Sequence, residues 1–129
     1  MDHEDLKKCC DRAIQAGATH AKVIEPVSMV TAPWVRLKCQ FGCAGYGRRY
    51  SCPPDTPSPE QMRSVLDGYK RAILVHREVP DPKDPSGRKN RVKFLDELVA
   101  LEGEMFKDGY YKAFVVLAGP CRRDLSLPF

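Results

Sequence analysis

One glycine- and proline-rich segment, residues 37–59, constrains this chain more than any other; we call it the cysteine segment. It contains three of the six cysteines, separated by three and then eight residues: Cys39, Cys43 and Cys52. Its glycines allow tight turns, and the two prolines after the last cysteine fix an extended exit. Because the segment carries thiols but few apolar residues to fill a core, it is typical of a loop that binds a metal.

A four-ligand site needs a fourth donor from elsewhere in the chain. Cys121, in the tetrapeptide Ala-Gly-Pro-Cys, is the natural candidate. Four cysteines suit either zinc or an iron–sulfur cluster. Structural zinc usually draws on two short cysteine pairs, and this chain has only Cys39 with Cys43. A proline directly after a cysteine, as at Cys52, is common beside cluster ligands. A 4Fe–4S cluster is therefore the favoured interpretation, and zinc is the alternative.

Composition indicates that residues 1–129 form a single metal-binding domain. Hydrophobic residues make up 43% and charged residues 29%, which is ordinary for a soluble globular protein. The net charge of +4 is too mild to make a nucleic-acid partner expected. The polar amino terminus lacks an apolar signal segment, and no apolar run is long enough to span a membrane. A cytoplasmic protein with reduced thiols is therefore expected, without membrane contact.

Hydrophobic periodicity predicts three helices. They are expected over residues 4–16, after the capping box Ser58–Gln61, and around Leu98 with a stop at Gly109. The polar segment 80–91 is predicted to be a surface loop. The apolar or alternating runs between these elements predict strands at residues 21–25, 34–38, 72–76 and 112–118.

Strands separated by helices predict an α/β fold with a small, mainly parallel sheet of three to five strands and crossover helices. In parallel sheets, ligands gather beyond the carboxyl ends of the strands. The cysteine segment and Cys121 each leave the end of a predicted strand, so their thiols are expected to meet at one edge. His76 ends another strand and would emerge there too, although a lone histidine in an apolar strand is more often structural.

Four residues are candidates for the surroundings of the metal. Arg48 and Arg49 would offset the charge of the thiolates, the aromatic Tyr46 would exclude water, and His76 would lie at the same edge. The sequence contains no nucleophile elbow, P-loop or dinucleotide fingerprint. No catalytic residue is assigned, and whether the protein is an enzyme stays open.

The motifs Cys39-Gln-x-Gly-Cys43, Cys52-Pro-Pro and Gly-Pro-Cys121 resemble those of a family of small prokaryotic proteins. That family is described only as predicted metal-binding proteins of unknown function. The resemblance extends over about residues 23–122, and the cysteine segment is its most specific part. It implies a cysteine-ligated metal centre, iron–sulfur in kind, with these four cysteines at the matching positions.

Members of that family usually continue past Gly-Pro-Cys with further closely spaced cysteines. Here the chain reads Arg122-Arg-Asp-Leu-Ser-Leu-Pro-Phe129, so a second centre in such a tail is not expected. Two functions follow as hypotheses: electron transfer or cluster donation to a redox or metal-transfer partner, and a zinc-stabilised binding module without a catalytic role. The apolar Leu125, Leu127 and Phe129 could support a homo-oligomer.

Overall fold

The structure is a computed structural model, and it describes residues 3–117. The described elements, in chain order, are helix α1 (His3–Gln15), strand β1 (His20–Ile24), a 3-10 helix (Pro26–Ser28), helix α2 (Pro33–Gly42), helix α3 (Pro59–Asp67), strand β2 (Ala72–His76) and helix α4 (Gly87–Lys107). They belong to two compact units. The described part of the first unit comprises residues 3–24 and 73–116, and that of the second comprises residues 25–72 and 117.

The sheet differs from the one that the sequence predicts. Strands β1 and β2 form a two-stranded sheet. The backbone N–H of Thr19, just before β1, donates to the carbonyl of His76 at the end of β2, at 2.8 Å. The start of one strand therefore lies beside the end of the other, and the pair is antiparallel. The prediction of a mainly parallel sheet with three to five strands is wrong.

Two predicted strands do not form among the described residues. Residues 34–38 lie within α2, because Pro33 takes the first helical position, where its missing N–H removes no hydrogen bond. An alternation of apolar and charged residues over only five positions is too short to distinguish a strand from a helix. Residues 112–117 are irregular, and the N–H of Val115 donates to the carboxylate of Glu102 at 2.7 Å instead of to a neighbouring strand. Residue 118 of that predicted strand lies outside the described residues.

The three predicted helices are confirmed. Helix α1 lies within one residue of its predicted bounds, and Gly17 follows it with a positive φ of 117°. At the start of α3 the capping box forms: the hydroxyl of Ser58 accepts from the N–H of Gln61 at 3.1 Å, and the side chain of Gln61 accepts from the N–H of Ser58 at 2.8 Å. Helix α4 begins at Gly87, so the last five residues of the predicted loop 80–91 are helical, and it ends before Gly109, whose φ is 102°. The capping box and the glycine stops depend on residues within one helical turn, so the helices form as the sequence predicts.

The first unit has a small core between its helices and the turn that follows α1. The buried hydrophobic residues here are Leu6, Ala13, Ala18 and Leu98. Two polar contacts hold the rim: the guanidinium of Arg12 donates to the carboxylate of Glu104 at 2.7 Å, and the hydroxyl of Tyr110 donates to Asp5 at 2.6 Å. Because this core contains few side chains, each buried leucine carries a large share of it.

The second unit relies on side-chain contacts to backbone carbonyls more than on burial. Leu66 is its buried leucine within the described residues. From α3, the guanidinium of Arg63 donates to the carbonyl of Pro26 at 2.9 Å and also to that of Met29. This contact fixes the 3-10 helix against α3. Between residues 3 and 117, no helix has the length and apolar character needed to cross a membrane.

Candidate metal centre

Helix α2 delivers the first two thiols of the cysteine segment. Cys39 lies in its last turn, and Cys43 caps its carboxyl end, with the N–H of Cys43 donating to the carbonyl of Cys39 at 3.2 Å. Residues four apart on a helix lie on the same face, one turn from each other. The end of α2 thus places Cys39 and Cys43 one helical turn apart, where the sequence predicts a loop.

Cys52, which carries the third thiol, lies in a series of hydrogen-bonded turns that follows α2. The N–H of Gly47 donates to the carbonyl of Pro53 at 2.7 Å, and the N–H of Cys52 donates to the carbonyl of Arg49 at 3.0 Å. Gly47 has a φ of 74°, a conformation that glycine adopts without the strain other residues would bear. These bonds fold the segment between Cys43 and Pro53 onto itself, so Cys52 is held within a closed loop that starts at the end of α2.

Arg36 closes the base of this loop. Its guanidinium, on the first turns of α2, donates to the carbonyl oxygens of Thr56 and Pro57, each at 2.8 Å. One side chain therefore joins the helix that carries Cys39 to the stretch that leaves Cys52. The three thiols lie between these two anchoring points, on a loop fixed at both ends.

The donor set of this loop fits a soft metal. Cys39, Cys43 and Cys52 are all free thiols rather than disulfide-bonded, with Cys43 exposed and the other two half-buried. Thiolates are the ligands of zinc and of iron–sulfur clusters. Cys121 lies outside the described residues, so the structure describes three members of the predicted four-cysteine set and that set stays a prediction.

Three of the predicted surrounding residues lie on the loop itself. Tyr46 is half-buried, and its N–H donates to the carbonyl of Cys43 at 3.2 Å. Arg48 is exposed and Arg49 is half-buried, which places two cationic residues between Cys43 and Cys52 in the chain. Their action on a bound metal stays a prediction. His76 belongs instead to β2 in the first unit, and its role beside the cysteines also stays a prediction.

Parallel strands do not bring Cys121 to the cysteine segment, contrary to the prediction. β1 and β2 are antiparallel, and residues 112–117 form no strand. The carboxyl ends of the described strands therefore point in opposite directions along the sheet. The case for Cys121 as the fourth ligand now rests on the family resemblance alone.

The remaining two described thiols have a different environment. Burial raises the pKa of the Cys9 thiol, and the nearby Cys10 and Asp5 add to this effect. Burial also raises the pKa of Cys10, with a smaller contribution from Asp11. A higher pKa leaves less thiolate at a given pH, and the thiolate is the form that attacks and binds metal. Adjacent positions on α1 also point about 100° apart, so Cys9 and Cys10 do not form a matched ligand pair.

This difference predicts an order of alkylation. In reduced, metal-free protein at neutral pH, we expect iodoacetamide to modify the exposed Cys43 several-fold faster than Cys9 or Cys10. Because the pKa of Cys9 and of Cys10 is raised, the rise of their rates with pH should occur at higher pH than for an unburied thiol. Mass spectrometry of peptides after timed alkylation measures each rate. Equal rates at Cys9 and Cys43 at neutral pH would show that burial does not suppress the helical thiol.

The sequence interpretation missed one group of ligand-type residues. The side chains of His20, His76 and Glu78 all lie within 4.8 Å of one another in the first unit. A parallel sheet would place the start of β1 and the end of β2 at opposite edges, so the two histidines were not expected to meet. An antiparallel pairing of the same two strands would have predicted the contact.

Comparison with known proteins agrees with a metal site. A family model described as "Predicted metal-binding protein (DUF2284)" matches residues 22–124. The UV DNA damage endonuclease of Deinococcus radiodurans is 24% identical over 110 residues, which cover 67% of this chain and 36% of the endonuclease. The chain thus spans about a third of the length of the curated relative that it matches. No solved structure matches the chain significantly.

Proposed function

Because this chain belongs to the DUF2284 family of predicted metal-binding proteins, we propose that its cysteine segment holds a 4Fe–4S cluster used for electron transfer or for cluster donation to a partner. The observation that carries the proposal is the closed loop that presents Cys39, Cys43 and Cys52 as free thiols. The family match extends over the whole loop and includes Cys121.

In this proposal the three thiols of the loop and Cys121 are the ligands. When bound, the cluster supplies a one-electron donor and acceptor. Arg48 and Arg49 act on it electrostatically, because their positive charge favours the more negative, reduced form. The ring of the half-buried Tyr46 limits access of water to the loop. Residues around a metal set its potential through charge and solvent exposure in this way.

The zinc-stabilised binding module is the second candidate. It is favoured by the helical pair Cys39 and Cys43, which has the spacing of one structural zinc pair. It is disfavoured because structural zinc usually draws on two short cysteine pairs, and the cysteine segment has one. A proline directly after a cysteine, as at Cys52, is common beside cluster ligands, so the cluster remains the first candidate.

A protein partner is part of the proposal. Exposed Cys43 lies on the same segment as Phe41 and Tyr50, whose exposed fractions are 79% and 91%. Apolar surface next to a cluster ligand suits contact with a redox or metal-transfer protein, in a cytoplasm where thiols stay reduced. A homo-oligomer remains a proposal for residues 125–129, which lie outside the described part of the chain. Neither a membrane nor nucleic acid is a proposed partner.

The endonuclease activity in the printed name of the Deinococcus relative is not part of the proposal. This chain covers 36% of that protein, so the activity of the whole protein is not carried over to it.

Reversible bleaching tests the electron-transfer role. Protein purified without oxygen should be brown, lose visible absorbance on addition of dithionite and recover it on reoxidation. Incubation with a metal-free ferredoxin as the probe acceptor should move the absorbance to that protein if cluster donation is the role. A colourless protein that contains zinc and unfolds with chelator would support the binding module instead.

A further inference from the structure

Two histidines and a glutamate meet at one end of the two-stranded sheet. His20 begins β1, His76 ends β2 and Glu78 follows two residues later. One ligand atom from each lies within 4.8 Å of the other two, and all three side chains are exposed. We propose that these residues form a second metal site, which binds a divalent transition-metal ion such as zinc. His20 lies outside the residues that the family model matches.

The backbone holds the two sides of the site together. The N–H of Thr19 donates to the carbonyl of His76 at 2.8 Å. The N–H of Glu78 donates to the hydroxyl of Thr19 at 2.9 Å. These two bonds tie the residue before His20 to His76 and to Glu78, which follows β2. The backbone segments that carry the three ligand residues are therefore held together, and the exposed side chains supply the ligand atoms.

The histidine pair has the spacing of two metal ligands. The Nδ1 atoms of His20 and His76 are 3.3 Å apart, which also suits a hydrogen bond between the rings, and the ring planes are nearly parallel, with centroids 5.6 Å apart and an interplanar angle of 8°. In a tetrahedral zinc site, Zn–N distances of about 2.0–2.1 Å place two ligand nitrogens about 3.3 Å apart. The two Nδ1 atoms face each other, so each exposed ring would tilt to aim its nitrogen at a shared ion while the distance between the nitrogens stays the same.

Glu78 is the third ligand of the proposed site. Arg77, the residue between His76 and Glu78, contacts Phe94. In an extended chain, residues two apart lie on the same side, so Glu78 follows His76 toward His20. Arg77 lies between them in the chain, but its guanidinium stands over the ring of Phe94, 5.5 Å from the centroid. The guanidinium of Arg77, whose positive charge would repel a metal ion, thus contacts an aromatic ring.

The donor set identifies the class of metal. Imidazole nitrogens suit zinc, copper, nickel and iron, whereas magnesium and calcium prefer oxygen ligands alone. Two histidines and one carboxylate leave a fourth position for water, because the group is exposed. The site contains no thiol, so its ligand chemistry differs from that of the cysteine segment and the two can be measured separately.

Cobalt titration of the full-length, reduced protein provides the test. Cobalt bound by thiolates gives intense charge-transfer absorption in the near ultraviolet, whereas cobalt bound by nitrogen and oxygen gives only weaker visible bands. We expect the substitutions His20→Gln, His76→Gln and Glu78→Gln each to weaken binding at the second site at least about tenfold, since even loss of an outer partner costs 10–100-fold in metal affinity. The thiolate absorption should not change.

His3→Gln is the matched control, because His3 is an exposed histidine of α1 that lies outside the group. It should leave cobalt binding unchanged. Zinc should also raise the melting temperature of the wild-type protein more than that of His20→Gln, since the ion joins β1 to the end of β2. Circular dichroism of each variant checks that the fold is kept. Unchanged affinity and stoichiometry in His20→Gln and His76→Gln, or an equal loss in His3→Gln, would overturn the proposal.

Discussion

Substituting Cys43 with serine should reduce the metal content of the anaerobically purified protein at least about tenfold, because a direct ligand contributes no less than the outer partners whose loss costs 10–100-fold in metal affinity. Cys43 is the exposed thiol at the end of α2, one helical turn from Cys39. The hydroxyl of serine is a poor ligand for either metal at neutral pH. Colour, iron content and zinc content of the variant give the result.

Cys10→Ser is the matched control for this experiment. It makes the same chemical change at a half-buried thiol of α1 whose pKa is raised by burial. This variant should keep the metal content of the wild-type protein. Retention of full metal by Cys43→Ser, or an equal loss in Cys10→Ser, would contradict the assignment of Cys43 as a ligand.

Substituting Leu98 with alanine should lower the free energy of unfolding by about 2–5 kcal/mol, the range found when a buried leucine is truncated to leave a cavity. Leu98 lies in α4 and is 7% exposed, in a unit with few buried hydrophobic residues. The small core leaves few neighbours to fill the space. Urea unfolding followed by circular dichroism, with both proteins in the same metal state, measures the change.

Val99→Ala provides the comparison on the same helix. Val99 is adjacent to Leu98 but is 44% exposed, so its truncation should change the free energy of unfolding by less than about 1 kcal/mol. Equal losses in the two variants would mean that burial of Leu98 does not determine the result, since alanine is the best helix former and neither substitution lowers helix propensity. A loss below about 0.5 kcal/mol in Leu98→Ala would show that this leucine is not part of a close-packed core.

Features that depend on adjacent residues could be predicted from the sequence. The capping box at Ser58 and the glycine stop at Gly109 act within one helical turn, and both occur in the structure. The strand at residues 72–76 was recognised because a continuous apolar run this short suits a strand better than a helix. The cysteine segment was recognised because glycine, proline and thiol together suit few other structures.

Features that depend on pairing across the chain could not be predicted. The direction of β2 relative to β1 follows from how distant segments pack, and alternation of helices and strands suggested the wrong direction. The alternating residues 34–38 fit a strand by pattern, but Pro33 starts a helix there. The contact between His20 and His76 needs the start of one strand beside the end of the other. Because parallel strands were predicted, this contact was not expected.

The kind of metal could not be derived from ligand identity, because four cysteines serve zinc and iron–sulfur clusters alike. The structure adds a closed loop with three free thiols, anchored by Arg36. It thereby gives the proposed centre a physical basis that the parallel-sheet argument no longer supplies.

Analysis of iron, acid-labile sulfide and zinc in protein purified without oxygen tests the central proposal most directly. A 4Fe–4S cluster predicts about four iron and about four sulfide per chain, with visible absorbance that disappears in Cys43→Ser. A folded protein with reduced thiols and neither iron nor sulfide under these conditions would contradict the proposed cluster.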